Sequence, residues 1–178
     1  MRKTRKQHID YTIRKIKKEY THNSLRSQHE DFKKKFKYIG SGANGFVYDI
    51  GYGVAMKITE DRPFEYSSYL KVKRLNSKYF VKYYKFHKVG DFVLIFMEKL
   101  VSNREYLDKC NMLSSLFFFY DTEHKMKLSY KDDPWYINNF KRLREVAPLL
   151  VKLNASDVKP ENSGQDRFGN IKIFDLIL

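Results

Sequence analysis

Three glycines stand between two stretches of strand-like alternation, and no helix opens after them. Phe36 and Tyr38 lead into Gly40-Ser41-Gly42-Ala43-Asn44-Gly45, after which Phe46, Tyr48 and Ile50 resume the period of two. Glycine lets a backbone turn sharply and lets another group come close to it. The spacing G-x-G-x-x-G serves two unrelated folds. In a dinucleotide-binding unit a helix opens directly after the glycines. Here Val47 and a strand come next, so the cluster joins two neighbouring strands. Taken alone it would also serve an ordinary hairpin, and its meaning depends on the rest of the chain.

A second strand comes at short range. Val54 to Ile58 contains Val54-Ala55-Met56-Lys57, three apolar residues followed by a lysine, which matches V-A-I-K with one apolar exchange. Beside a glycine loop, such a lysine points an ammonium at phosphates; without the loop it would be an ordinary edge residue. The third element has the most agreeing offsets. Asp157-Val158-Lys159-Pro160-Glu161-Asn162 has the pattern D-x-K-P-E-N. Asp166, Gly169 and Asn170 fit a hairpin turn after it, Ile171 to Ile173 a strand, and Asp175 falls in the place of a second acid. An acid that can act as a base, a lysine, an amide and a metal-binding acid on one short stretch are the groups that phosphoryl transfer requires, because that chemistry rests on positioning and charge neutralisation.

Together these residues resemble the eukaryotic-type Ser/Thr protein kinase family, over about residues 36–178. The resemblance implies an α+β, protein-kinase-like fold: a five-stranded antiparallel N-lobe, a truncated helical C-lobe, and an N-terminal helical extension. It divides the chain into residues 1–35, 36–100 and 101–178. It also implies ATP and Mg²⁺. Gly40, Gly42, Gly45 and Val47 would cover the phosphates, and Lys57 would bind two of them. Asp157 would orient or deprotonate the attacking hydroxyl and Lys159 neutralise the γ-phosphate, while Asn162 and Asp175 would hold the metal. Ala55 belongs to the same ATP site. Met97 would guard the back of the adenine pocket, and Glu98-Lys99-Leu100 would be the hinge that binds adenine through its backbone.

Several positions depart from the family. Ala155-Ser156 stand where His-Arg precedes the catalytic acid, which removes the arginine that engages a phosphorylated activation loop. Leu176-Ile177 replace Phe-Gly after Asp175. Ser163-Gly164-Gln165 replace the apolar residues that floor the adenine pocket, and Gly164 is expected to leave a gap there. The helix glutamate that should pair with the strand lysine falls on Ser68, with Glu65 one turn earlier on roughly the same face as the candidate partner of Lys57. The chain stops three residues after Asp175, so no activation segment or substrate-docking helices are expected. Two readings are open. One is a minimal ATP/Mg-dependent Ser/Thr protein kinase acting on protein hydroxyls or on itself. The other is a kinase-derived binding protein, without transfer, that occludes a host partner or binds nucleic acid.

Composition bears on partners more than on fold. The net charge is +14, and residues 1–38 hold 13 Lys and Arg against 4 Asp and Glu, so most of the excess is N-terminal. Such a field attracts polyanions, although a solvated, solubilising arm has the same composition. Hydrophobic content of 42% indicates a folded chain. No apolar run approaches the roughly 18 residues that a bilayer span needs. No secretory signal opens the chain, and a soluble cytoplasmic protein is expected, with no membrane partner. Richness in Lys, Asn, Tyr and Phe points to an economical, AT-rich genome such as a virus or bacteriophage. A homodimer would cover an apolar face left open by missing helices; the N-terminal helix could cover it instead. The single cysteine, Cys110, reads as a small buried hydrophobe, and the five histidines have no metal spacing.

Residues 1–8 read as a frayed tail. Ile9, Ile13, Ile16 and Tyr20 recur at helical spacing. A second helix is expected over Gln28 to Lys35, and a third over Phe64 to Leu75, opened by Pro63. Phe80 to His87 and Asp91 to Met97 read as strands. Ser102 and Glu105 cap a helix through Phe117, residues 121–134 read as a loop, and a last helix begins near Pro134, with Pro148 bending or ending it.

Overall fold

The computed structural model describes residues 4–20, 25–42, 45–60, 63–101, 145–146, 148–150, 152–153, 162–168 and 170–173. The chain divides into two compact units. One comprises residues 1–74 and 81–99, the other residues 75–80 and 100–178.

The first unit is an α+β assembly. Two helices, α1 (Arg5–Glu19) and α2 (Leu25–Lys35), precede strands β1 (Lys37–Gly42), β2 (Gly45–Gly51) and β3 (Val54–Glu60); helix α3 (Pro63–Leu75) and strands β4 (Tyr83–Val89) and β5 (Phe92–Glu98) come after them. The strands form one antiparallel sheet in the order β1-β2-β3-β5-β4. β3 and β5 lie inside it and are buried on both faces, which accounts for their near-continuous apolar sequences.

Helix α1 begins earlier than its apolar period indicates. Thr4 and Gln7 form a reciprocal capping box, so Arg5 to His8 are helical where the sequence suggests a frayed tail. α2 likewise starts at Leu25, ahead of the expected Gln28. Strand β4 starts at Tyr83, because Phe80 bridges Ile173 outside the five-stranded sheet.

The two N-terminal helices pack on the sheet. Ile9, Ile13, Ile16, Tyr20 and Phe32 share one buried cluster with Tyr48, Ile50, Val54, Met56, Ile58, Phe92, Leu94 and Phe96. Period-two alternation sends Ala55, Lys57, Thr59, Val93 and Ile95 to the opposite face, where Tyr69 of α3 packs against Val93 and Ile95.

Polar contacts fix the helices in place. His8 Nε2 lies 2.6 Å from the Ile50 carbonyl, Lys85 donates to Asp10 at 2.6 Å, and Lys35 pairs with Glu19. His29 of α2 stacks on Phe46 with centroids 3.8 Å apart, and its Nδ1 meets the Tyr48 hydroxyl. Burial pushes the Tyr48 hydroxyl up and, with Lys33, pushes His29 below its usual range, so a Tyr48 O–H donating to a neutral Nδ1 is the consistent assignment.

In the second unit, β6 (Ser163–Gln165) and β7 (Ile171–Ile173) form a hairpin. Asp166, 7% exposed, holds its turn by accepting from the N–H groups of Phe168 at 2.9 Å and Asn170 at 3.0 Å. Val101 exchanges two backbone hydrogen bonds with Gln165, and Ile173 donates to the Tyr79 carbonyl. Residues 145–146, 148–150 and 152–153 are helical, so helical residues stand on both sides of Pro148. Among the described residues no helix is long and apolar enough to cross a membrane.

Candidate functional site

The glycine hairpin is β1 and β2, with Gly42 paired to Gly45 and residues 43–44 outside the described set. Its glycines answer different demands. A Cβ at Gly45 would collide with the Ile58 carbonyl oxygen and lie 3.1 Å from Thr59 Cα, so the sheet itself requires glycine there. Gly40 differs, since an added Cβ would meet nothing within 4 Å and its φ is not positive. Neither packing nor backbone geometry among the described residues explains a glycine at 40. Ile39, in the bulge just before it, is 44% exposed.

Lys57 occupies the central strand and is 7% exposed. It pairs with Val47 of β2 on one side and Ile95 of β5 on the other. One register step away, Ala55 pairs with Asp49 and with Met97. Paired residues share a face. Val47, Ala55, Lys57 and Met97 therefore form adjacent rows on the α3 side of the sheet. Their proximity is a consequence of antiparallel register, although Met97 lies 40 positions from Lys57.

On α3, Ser68, Tyr69 and Val72 are buried. Residue 65 falls on that same helix face, at i−4 from Tyr69; its side chain, and so its pairing with Lys57, lies outside the described residues. Ser68 Oγ is buried with no hydrogen-bond partner among the described residues.

At the end of β5, Glu98 N–H donates to the Lys82 carbonyl at 2.8 Å and Lys99 N–H to the Gly53 carbonyl at 3.0 Å. Lys99 Nζ also binds Asp49 of β2. Burial pushes Asp49 upward, but its bonds to Lys99 and the Gly51 N–H outweigh this and hold its carboxyl below the usual carboxylate range. The Asp49–Lys99 tie spans 50 positions, and no local pattern in the sequence announces it.

In the second unit Asn162 is buried directly before β6. The expected gap at Gly164 is not there. A Cβ at that position would lie 2.6 Å from Leu100 Cβ and 3.0 Å from its Cδ1, so the Leu100 side chain takes up the space. The Val101–Gln165 bridge holds Leu100 there. Asp157, Lys159 and Asp175 lie outside the described residues, as do Cys110 and the helix expected from Ser102. Among the described residues no group of three His, Cys, Asp or Glu could hold a metal ion.

No protein-family model matches the chain, and no curated protein matches it.

Proposed function

We propose that the chain is an ATP- and Mg²⁺-dependent protein kinase of the eukaryotic Ser/Thr type, transferring the γ-phosphoryl group to protein hydroxyls, its own included. The observation that carries this reading is the placement of Lys57. A nearly buried lysine stands in the middle strand of the sheet, register-paired to Val47 of the glycine hairpin. Gly40 supports it, because the absence of a side chain there serves no packing need among the described residues and leaves room for a ligand.

In this reading the glycine hairpin covers the phosphates and Lys57 binds two of them. Met97 limits the depth of the base pocket, while Ala55 and Val47 present apolar surface on the same face. The N–H groups of Glu98 and Lys99 donate to the Lys82 and Gly53 carbonyls, so in this reading the N–H of Leu100 is the hinge group proposed to meet the adenine ring. Asp157 accepts the proton of the attacking hydroxyl and holds it in line, and Lys159 offsets charge on the transferred group. Asn162 and Asp175, an amide and a carboxylate oxygen donor, suit a hard cation. Mg²⁺, when bound, supplies neutralisation of phosphate charge.

Incubation with γ-labelled ATP and Mg²⁺, with and without added acceptor protein, tests the proposal. Label transfer is expected in the wild type, falling by about 10²- to 10⁴-fold in Asp157→Asn and similarly in Asp175→Asn. A wild type that binds nucleotide but transfers nothing would leave the kinase-derived binding protein as the account.

A further inference from the structure

Helix α1 has two faces with the same spacing and opposite chemistry. Ile9, Thr12, Ile13 and Ile16, at i, i+3, i+4 and i+7, are buried, and the three isoleucines lie in the cluster shared with the sheet. Tyr11, Arg14, Lys15 and Lys18 repeat that spacing on the outward side and are all exposed. They cover about two helical turns, or ~10 Å of axis.

No acid shares this outward face. The two acids of α1 are turned to the protein, Asp10 bound to Lys85 and Glu19 to Lys35. On α2, Lys33 and Lys34 are paired with Glu30 and Asp31. The basic excess of the N-terminal segment is thereby sorted. Much of α2 is internally neutralised, whereas Arg14, Lys15 and Lys18 form no ion pair among the described residues. Tyr11, 45% exposed, sits at the head of the three cations.

From this arrangement we infer that the outward face of α1 binds single-stranded nucleic acid, with Arg14, Lys15 and Lys18 on backbone phosphates and Tyr11 stacking a base. The inference is independent of the kinase reading. An amphipathic helix lies in a membrane by inserting its apolar face, and that face is occupied by the sheet here. An acidic protein surface would satisfy the cations, but a flat base adds stacking on the ring set among them. Unpaired bases use both, because ring stacking and phosphate neutralisation are the two terms of single-strand binding.

The test is fluorescence anisotropy of the full chain with a labelled single-stranded oligonucleotide, run beside polyglutamate and phosphatidylserine vesicles. Each phosphate contact in a single strand contributes about −0.7 to the slope of log K against log salt. Replacing Arg14, Lys15 and Lys18 together should therefore reduce the slope by about 2. Both an all-Glu and an all-Gln triple variant are measured, so that loss of binding through repulsion is separated from loss of contact. Tyr11→Ala should weaken oligonucleotide binding about ten-fold and leave polyglutamate binding unchanged. Because all four positions are exposed, an unchanged melting temperature is the folding control. Undiminished oligonucleotide binding in both triple variants would overturn the inference. So would a Tyr11→Ala variant that binds the oligonucleotide as the wild type does, or tighter binding of polyglutamate or vesicles than of the oligonucleotide.

Discussion

Along β3 the side chains alternate between two surroundings. Val54, Met56 and Ile58 lie under α1 and α2, while Ala55, Lys57 and Thr59 turn to the side on which α3 packs. The first face is closed by long apolar and aromatic side chains and by histidine and lysine contacts at its margin. The second is buried as well, yet it contains a lysine and a threonine in the middle of the sheet. Burial of a charged group is costly unless it is matched. A sheet that needed only stability would carry apolar residues on both faces. The face under α1 and α2 anchors the strands, and the face toward α3 is the one on which the proposed nucleotide site lies.

The largest break in this comparison comes from the anchoring face. Ile16, 1% exposed at its centre, should cost about 2–5 kcal/mol when replaced by alanine. Denaturant unfolding followed by circular dichroism measures it. A loss under about 1 kcal/mol would mean that α1 is not integral to this unit.

The glycine hairpin sharpens the contrast. Gly45→Ala forces a Cβ into the Ile58 carbonyl and should destabilise by about 1–3 kcal/mol, since backbone must move. Gly40→Ala has open space, so its melting temperature should stay unchanged while its affinity for ATP falls. Equal stability losses at the two positions would remove the distinction drawn between them.

A smaller effect is expected at the α2 contact. Tyr48→Phe removes the hydroxyl that donates to His29 and should cost about 1 kcal/mol. His29→Gln should cost less in that background than in the wild type, by about the energy of the shared hydrogen bond, as a double-mutant cycle would show; the remainder reports its stacking on Phe46.

The mildest break is by pH. His29 is held below its usual 6.5 by burial and by Lys33, and His87 by burial and by Lys17 and Lys85. The folded state binds these protons less readily than the unfolded chain. Their contribution is therefore complete above pH 6.5 and is lost as pH falls through the lowered folded values. Asp10, Asp49 and Asp166 are also lowered, from 3.8, so their contribution is lost only in a separate, more acidic window. Urea midpoints should fall between about pH 7.5 and 5.5 and flatten in a His29→Gln/His87→Gln variant. A flat wild-type profile would contradict this.

Much of the first unit was legible in the sequence, because alternation and glycine punctuation are local signals. The five strands and α3 emerge from them. The start of α1 was legible too, in the Thr4–Gln7 capping pair, but charge density at the terminus read as disorder. The surface on which α1 rests was not directly legible: an apolar stripe shows that a face is buried and not against which element. The unbroken run Phe92 to Met97 held the missing hint, since a strand apolar at every position must be covered on both faces. At the candidate site, Lys57 and Val47 were legible as motifs. The Asp49–Lys99 tie and the Leu100 side chain over Gly164 were not, because both depend on segments far apart in sequence that meet only after folding.

The central proposal is that Lys57, on the α3 side of the sheet, holds nucleotide phosphates. The most direct measurement is the thermal shift of the full chain on adding Mg²⁺ and ATP, compared between the wild type and Lys57→Met. The account predicts a rise in melting temperature for the wild type that Lys57→Met loses while remaining folded. A wild type whose melting temperature does not respond to Mg²⁺ and ATP, or a Lys57→Met variant that responds equally, would contradict it.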